Sequence, residues 1–320
     1  VMATQKSIAD KLGLSISLVS RVLSGKAKEI GVAQETIQKV LDEAQRTNYT
    51  PNSAALSLRG VKTQTLGVIS YDFEDPYFGI ILGELHKIAK QRKFTLILAG
   101  SYHREEETLD LSAFAKHSIE GLIIVGSDRN KDWYEKFTHK SIPSVQIGFT
   151  SEKIGANICI DETISANLVA KYLQKQKNND ATLFFNHSLS HETYKKEHIK
   201  ALAQHEITVL EDVICDGSLN SVKSGLKRLK KLPDVIIAGD DIMATKIIRS
   251  LHELNIKVPE DVKVFGFDNI AHSRNFIPSL TTLNPPIKEM IQAAFDLVSS
   301  PKASQETLRF TPELISRESA

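Results

Sequence analysis

Apolar residues recur at helical spacing through the first 48 positions, and polar punctuation divides them into three segments. In the first, over 6–12, Ile8, Ala9 and Leu12 share one side. Thr4 stands as N-cap there, and Gly13-Leu14-Ser15 breaks the run. In the second, over 16–24, Leu18, Val19, Val22 and Leu23 form a buried face, with Ser15 as cap and Gly25 as the stop. In the third, over 33–47, Ile37, Val40, Leu41 and Ala44 follow i, i+3, i+4, i+7. Pro51 then ends the pattern. The segment 52–59 is too short to hold a helix alone in water, so it reads as a linker that turns helical only when supported.

The texture changes at residue 65. Short apolar runs appear at 65–70, 94–100, 121–126, 144–148, 157–161, 181–186, 234–239 and 262–268. Helical patterns, including 78–92 and 105–117, lie between most of them. Such runs are strands of parallel sheets covered on both faces by crossover helices. There are too many for one small sheet. The predicted fold is an all-α head followed by an α/β two-lobed domain of doubly wound parallel sheets. Ligands of such sheets bind at the carboxyl ends of strands, so the residues just after each apolar run are the ones to watch.

The 320 residues suffice for two domains with a real core. Cys159 and Cys215 are the two cysteines, which implies no disulfide framework and a reducing compartment. No apolar run is long enough to span a membrane, and the N-terminal stretch lacks a signal core, so a cytoplasmic protein is expected. The net charge of +1 conceals an asymmetry. Residues 1–62 hold nine Lys/Arg against five Asp/Glu, a basic head suited to a polyanion.

Ala9, Gly13 and Val19 fit a helix-turn-helix, in which a small residue, a turn glycine and a returning apolar residue let two helices cross closely. They fit an ordinary helical hairpin with a solvated polar face as well. No phosphate loop, zincin motif or nucleophile elbow occurs, no cofactor is expected, and nothing points to an enzyme. His187, His191, Glu192 and His198 have irregular spacing and read as a solvated loop and helix start rather than a metal site. The lysine-rich 225–233 reads as a solvated helix face. The other class of function left open is a soluble sugar-binding or sugar-modifying protein with a helical head.

The stretches SIADKLGLSISLVSRVL, TIQKVLDEAQRTNYTPNSAALSLRG and ELISRESA occur in this order, and with them the whole chain resembles the LacI/GalR family of bacterial transcriptional regulators. The resemblance implies a DNA-binding head at 1–48, a hinge at 49–62, and an effector-binding and dimerisation domain at 63–320. In that domain, lobe 1 would comprise about 63–160 and 287–310, and lobe 2 about 161–286 and 311–320. It implies a homodimer on pseudo-palindromic operator DNA in the bacterial nucleoid, acting as a repressor. Ile16 and Ser17 would read base edges, and Ser15, Ser20 and Arg21 would add base or phosphate contacts. Thr4, Tyr49 and Asn52 would hold the DNA backbone. Leu58 would wedge into the minor groove, flanked by Ala55 and Arg59. The chain stops soon after ELISRESA without a leucine-heptad tail, so a dimer is expected.

The same resemblance places effector contacts at Tyr77, Phe78, Tyr194, Asp240 and Asp268, with Asp241 at the family's usual aspartate. A carbohydrate is the expected small molecule. Core packing is the other reading for Phe78, and a helix cap for 269–276 is the other reading for Asp268. Two departures bear on the effector. Tyr194 stands where the family carries an arginine, whose planar fork neither Tyr nor Lys replaces. Gly148 stands where sugar-responsive relatives often carry a carboxylate.

Overall fold

The computed structural model describes residues 3–27, 31–49, 62–70, 72–100, 112–126, 142–148, 155–187, 189–299 and 306–320. The chain divides into two compact units, Val1–Thr63 and Gln64–Ala320.

The first unit contains helices α1 (Gln5–Leu12), α2 (Ile16–Leu23) and α3 (Gln34–Arg46). Thr4 and Ser7 form a reciprocal capping box at the start of α1. Gly13 closes that helix in the left-handed region, at φ 65°, where a side chain would be strained. Ile8, Ala9, Val19, Val22, Ala27, Ile37, Val40 and Ala44 make one small core. The pattern is right on α2, where Val19 and Val22 are buried and Leu23 packs alongside them. On α3 it needs correction. Leu41 is 42% exposed, and Glu43 is buried in its place. Glu43 tolerates this because Lys11 (3.0 Å) and Arg46 (2.7 Å) neutralise its carboxylate.

The second unit holds two six-stranded sheets. Its elements, in chain order, are β1 (Thr65–Ser70), α4 (Pro76–Arg92), β2 (Thr95–Gly100), α5 (Ser112–His117), β3 (Gly121–Val125), β4 (Ser144–Ile147), β5 (Ala156–Ile160), α6 (Glu162–Lys175) and β6 (Asp180–Phe185). Then follow α7 (Leu189–Gln204), β7 (Thr208–Ile214), α8 (Leu219–Arg228), β8 (Val235–Ala238), α9 (Asp241–Glu253), β9 (Lys263–Phe267), β10 (Thr281–Asn284), α10 (Ile287–Val298), β11 (Thr307–Phe310) and β12 (Glu313–Ile315).

The first sheet runs β11-β5-β4-β3-β1-β2 and the second β12-β10-β9-β8-β6-β7. Every described pairing is parallel except that of β12 with β10. The chain passes between the sheets after Ile160, after Asn284 and after Phe310. The doubly wound parallel architecture expected from the apolar runs is present. Central strands β1, β3, β5 and β6 are buried at every position. Burying each Val, Leu or Ile there contributes about 1.5–3 kcal/mol. Four strands escape the apolar-run reading: β7, β10, β11 and β12. The edge strand β7 is only half-covered, and the other three have four residues or fewer. The three-crossing path brings residues from the ends of β1, β5, β8 and β9 into one neighbourhood within this unit.

Candidate functional site

Two regions gather the residues singled out above. The first lies on the helical head. Ile16 is 47% exposed, Ser17 and Arg21 are exposed, and Ser20 is half-buried. These four and Gln5 line one open depression. Val19 and Val22, on the opposite side of α2, fasten that helix to the core. The Arg21 guanidinium has no ion-pair partner among the described residues. Gln5 went unnoticed in the sequence, although its place directly after the Thr4 cap puts it beside the start of α2.

Thr4 and Ser15 are both helix caps. The Thr4 hydroxyl oxygen accepts from the Ser7 amide at 3.1 Å, and that of Ser15 accepts from the Leu18 amide at 3.1 Å. Both residues are exposed, so each hydroxyl proton can still be donated outward. Tyr49 is half-buried against the head core. Asn52, Ala55, Leu58 and Arg59 lie outside the described residues.

The second region lies at the carboxyl ends of β1, β5, β8 and β9. After β1, Asp75 caps α4, its carboxylate accepting from the Tyr77 amide at 2.9 Å. Tyr77 is half-buried, and burial together with the charges of Asp268, Glu162 and Asp75 holds its hydroxyl firmly protonated. Phe78 is corrected. It is buried in the main core, 5.7 Å from the Tyr77 ring in an edge-on arrangement, so it supports Tyr77 and presents no face to a ligand.

Tyr194 is corrected in part. Its ring is buried, 3.8 Å from the His198 ring and edge-on to Phe185 (5.5 Å) and Phe267 (5.2 Å), which leaves no face on which a sugar could stack. Its hydroxyl, however, is buried with no hydrogen-bond partner among the described residues. The histidines are not solvated as expected: His191 and His198 are both buried. Burial lowers the His198 pKa to about 4, so the ring is neutral. Among the described residues no group of His, Cys, Asp and Glu could hold a metal ion.

After β8, Asp240 is the N-cap of α9. It accepts from the Met243 amide at 2.6 Å and lies 3.6 Å from His191 Nε2. Asp241 is fully buried and accepts from Thr282 (2.6 Å), from the Ile270 amide (3.0 Å) and from Ser273. Burial nevertheless raises its pKa to about 6. Asp268, after β9, occupies φ 112°, an unusual conformation for a residue with a side chain. No helix follows it over 269–276, so the cap reading fails. Its carboxylate accepts no hydrogen bond among the described residues, and burial together with the acids around it raises its pKa well above the usual range.

Glu162, the first residue of α6, was missed. Its Oε2 is buried without a partner among the described residues, and burial raises its pKa to about 8, against an opposing pull from Arg309. The strand-end rule contained the necessary signal, because Glu162 lies two residues beyond β5. Gly148 adopts φ 127°, and a Cβ there would stand 3.3 Å from the Gly126 backbone. A side chain at this position would be strained and would press on that backbone.

Residues 170–320 match the family described as a periplasmic binding protein-like domain. The chain is 27% identical over 334 residues to the HTH-type transcriptional repressor PurR of Edwardsiella ictaluri, covering 99% of this chain and 97% of that one. In structure it is similar to the lac repressor dimer bound to operator and the anti-inducer ONPF, with a TM-score of 0.87 at 20% identity over 100% and 99% of the two chains. It is also similar to the transcriptional regulator CelR in complex with cellobiose, with a TM-score of 0.68 at 19% identity over 99% and 100%. The resemblance read from the head, hinge and C-terminal motifs therefore holds along the full length. Over its full length the chain is similar to transcriptional repressors, as the resemblance to the LacI/GalR family implies.

Proposed function

We propose that this chain is a homodimeric repressor whose affinity for a pseudo-palindromic operator is set by a small molecule held between its lobes. The observation that carries the DNA half is the open face of α2. There Ile16, Ser17, Ser20 and Arg21 gather while Val19 and Val22 hold the helix from behind. A helix so held, with its N-terminal part exposed, enters a major groove. Arg21 can chelate guanine, Ile16 offers methyl contact, and the serines discriminate weakly. Thr4, Ser15, Tyr49 and Asn52 serve the DNA backbone. Leu58, with Ala55 and Arg59, supplies the minor-groove wedge of a hinge at 49–62.

Asp268, Glu162, Tyr77 and the Tyr194 hydroxyl face the effector. The ligand-bound relatives support a sugar or sugar derivative as the broad class. Effector binding shifts the population between two arrangements of the lobes, by no more than the ligand's differential affinity for them. The relatives are repressors rather than enzymes, which leaves the alternative of a sugar-modifying protein without support.

Binding-site selection from random duplexes, followed by fluorescence anisotropy of the full chain against salt, tests this reading. A two-fold related site should emerge, with log K falling linearly in log salt. Recovery of no symmetric site, together with turnover of a sugar, would overturn it.

A further inference from the structure

Among the described residues, the acids of the interlobe region have no cationic complement matching their number. Asp268 sits among the charges of Asp241, Asp240, Asp75 and Glu162, all of its own sign. Three of these are already engaged. Asp241 accepts three hydrogen bonds from the loop and strand beyond it. Asp240 caps α9 and faces His191. Asp75 likewise caps α4. Asp268 and Glu162 remain, the first with no hydrogen bond among the described residues and the second with a buried, unpartnered oxygen. Arg309 acts on Glu162 from β11, but it is an exposed residue and also acts on Cys159. Arg317 is engaged with Asn269 and the Leu280 carbonyl.

The independent observation is Tyr194. Its side chain is 3% exposed and its hydroxyl is sealed without a partner, in the joint field of Glu162, Asp268, Asp241 and Asp240. Buried polar atoms left unpaired cost free energy, and in a native protein they mark a missing partner. A hydroxyl can pair with many ligands. Carboxyl groups drawn into the protein beside other acids are disfavoured in the ionised form, and a positive charge among them restores it.

We propose that the effector carries a protonated nitrogen on a hydroxylated small molecule, bound by Asp268 and Glu162 with the Tyr194 hydroxyl completing its hydrogen bonds. The ligand class is thus an amino sugar or a comparable small polar amine, rather than a neutral or acidic sugar. This inference rests on the reading of the cleft as an effector site. It accounts for the departure at Tyr194: a tyrosine in place of an arginine removes a cation, and the cleft acids that remain need one from the ligand. Its physical signature is proton release. Both carboxyls are pushed toward the protonated form by burial, and a cation between them restores ionisation. A neutral sugar would accept hydrogen bonds from the protonated acids and release nothing.

The test is isothermal calorimetry on the full chain with D-glucosamine against D-glucose and D-galactosamine against D-galactose. Each pair is run near neutral pH in two buffers of different ionisation enthalpy. The amine of at least one pair should bind more tightly than its neutral partner by about tenfold, the value of one charge-assisted contact. Protons should be released on binding. Glu162→Gln, close in shape to the native residue, should reduce that preference and the proton count together. Neutral sugars binding as well as the amines, binding without proton release, or no heat from either amine would each overturn the inference. A neutral sugar that binds and alters operator affinity would overturn it while leaving the repressor reading intact. Absence of any operator binding would instead remove the repressor reading.

Discussion

Thr282 on β10 donates its hydroxyl to Asp241 at the start of α9, at 2.6 Å, inside the second unit where both residues are fully buried. The same carboxylate receives Ser273 and the Ile270 amide, so one side chain ties α9, the loop after Asp268 and β10 together. Replacing it by Ala leaves three donors unpaired. Each buried unpaired donor costs about 1–3 kcal/mol. Asp241→Ala should therefore lower the urea midpoint of the second unit by an amount corresponding to several kcal/mol, and effector affinity should fall with it. A variant as stable as the native chain would show that the knot contributes nothing.

The head should weaken in acid. Glu43 is held at a pKa of about 2, against an ordinary 4.5, chiefly by its hydrogen bond to Arg46 and also by Lys11. A lowered folded pKa adds stability that is present above about 4.5 and disappears as pH falls toward 2. Hydrogen exchange of the α1–α3 amides in the full chain should accelerate across that window. Glu43→Gln should remove the acid slope; an unchanged slope would assign it to another group.

The second unit should show the opposite sign. Glu162 has its pKa raised to about 8 by burial, with Asp161 adding to the effect. The folded state then holds a proton that the unfolded state has lost, so stability falls as pH rises from about 4.5 to 8. Urea unfolding at a series of pH values should show that decline in the native chain and a flatter profile in Glu162→Gln. A steeper decline in the variant would contradict the assignment.

On the head, base reading and backbone holding predict different phenotypes. Arg21→Ala should cost about 1–3 kcal/mol and relax preference at one base position. Gln5→Ala should relax one neighbouring position, because a glutamine amide pairs with adenine. Thr4→Val should weaken binding across all sequences alike and destabilise α1 by about 1 kcal/mol through the lost cap. Ser17→Gln should shift the half-site preference. Selection profiles for the four variants separate these outcomes, and identical profiles would mean that this face does not read bases.

The hinge supplies the last prediction. Leu58→Gly should weaken operator binding far more than effector binding, since a glycine cannot wedge open a base step. Equal losses in the two assays would count against the wedge.

Periodicity found the head because its apolar residues are few and regularly spaced. It erred at Leu41 and Glu43, adjacent to the buried stripe of α3, because hydropathy ranks leucine inside and glutamate outside. Only the approach of Lys11 from α1 and of Arg46 from the next turn makes the acid tolerable there. The strand-end rule pointed to Asp240 and Asp268 but assigned them no distinct roles. Asp240 proved to be a cap and Asp268 an unpaired acid, a distinction set by which backbone amides lie within reach. Tyr194 was read as an exposed stacking surface, but its ring went to the core and its hydroxyl was left over.

The sequence by itself determined the three head helices, most of the strands, the doubly wound class and the two kinds of unit. Those follow from spacing, which is a property of neighbours in the chain. Tertiary structure alone decided which acids are satisfied and which are not. Asp241, Asp268 and Glu162 are chemically alike and lie far apart in the chain. Their differences arise from donors on other elements: Ser273 and Thr282 reach Asp241, and none among the described residues reaches Asp268 or Glu162 Oε2. Desolvation and pairing are set by distances across the fold, and these no local pattern encodes.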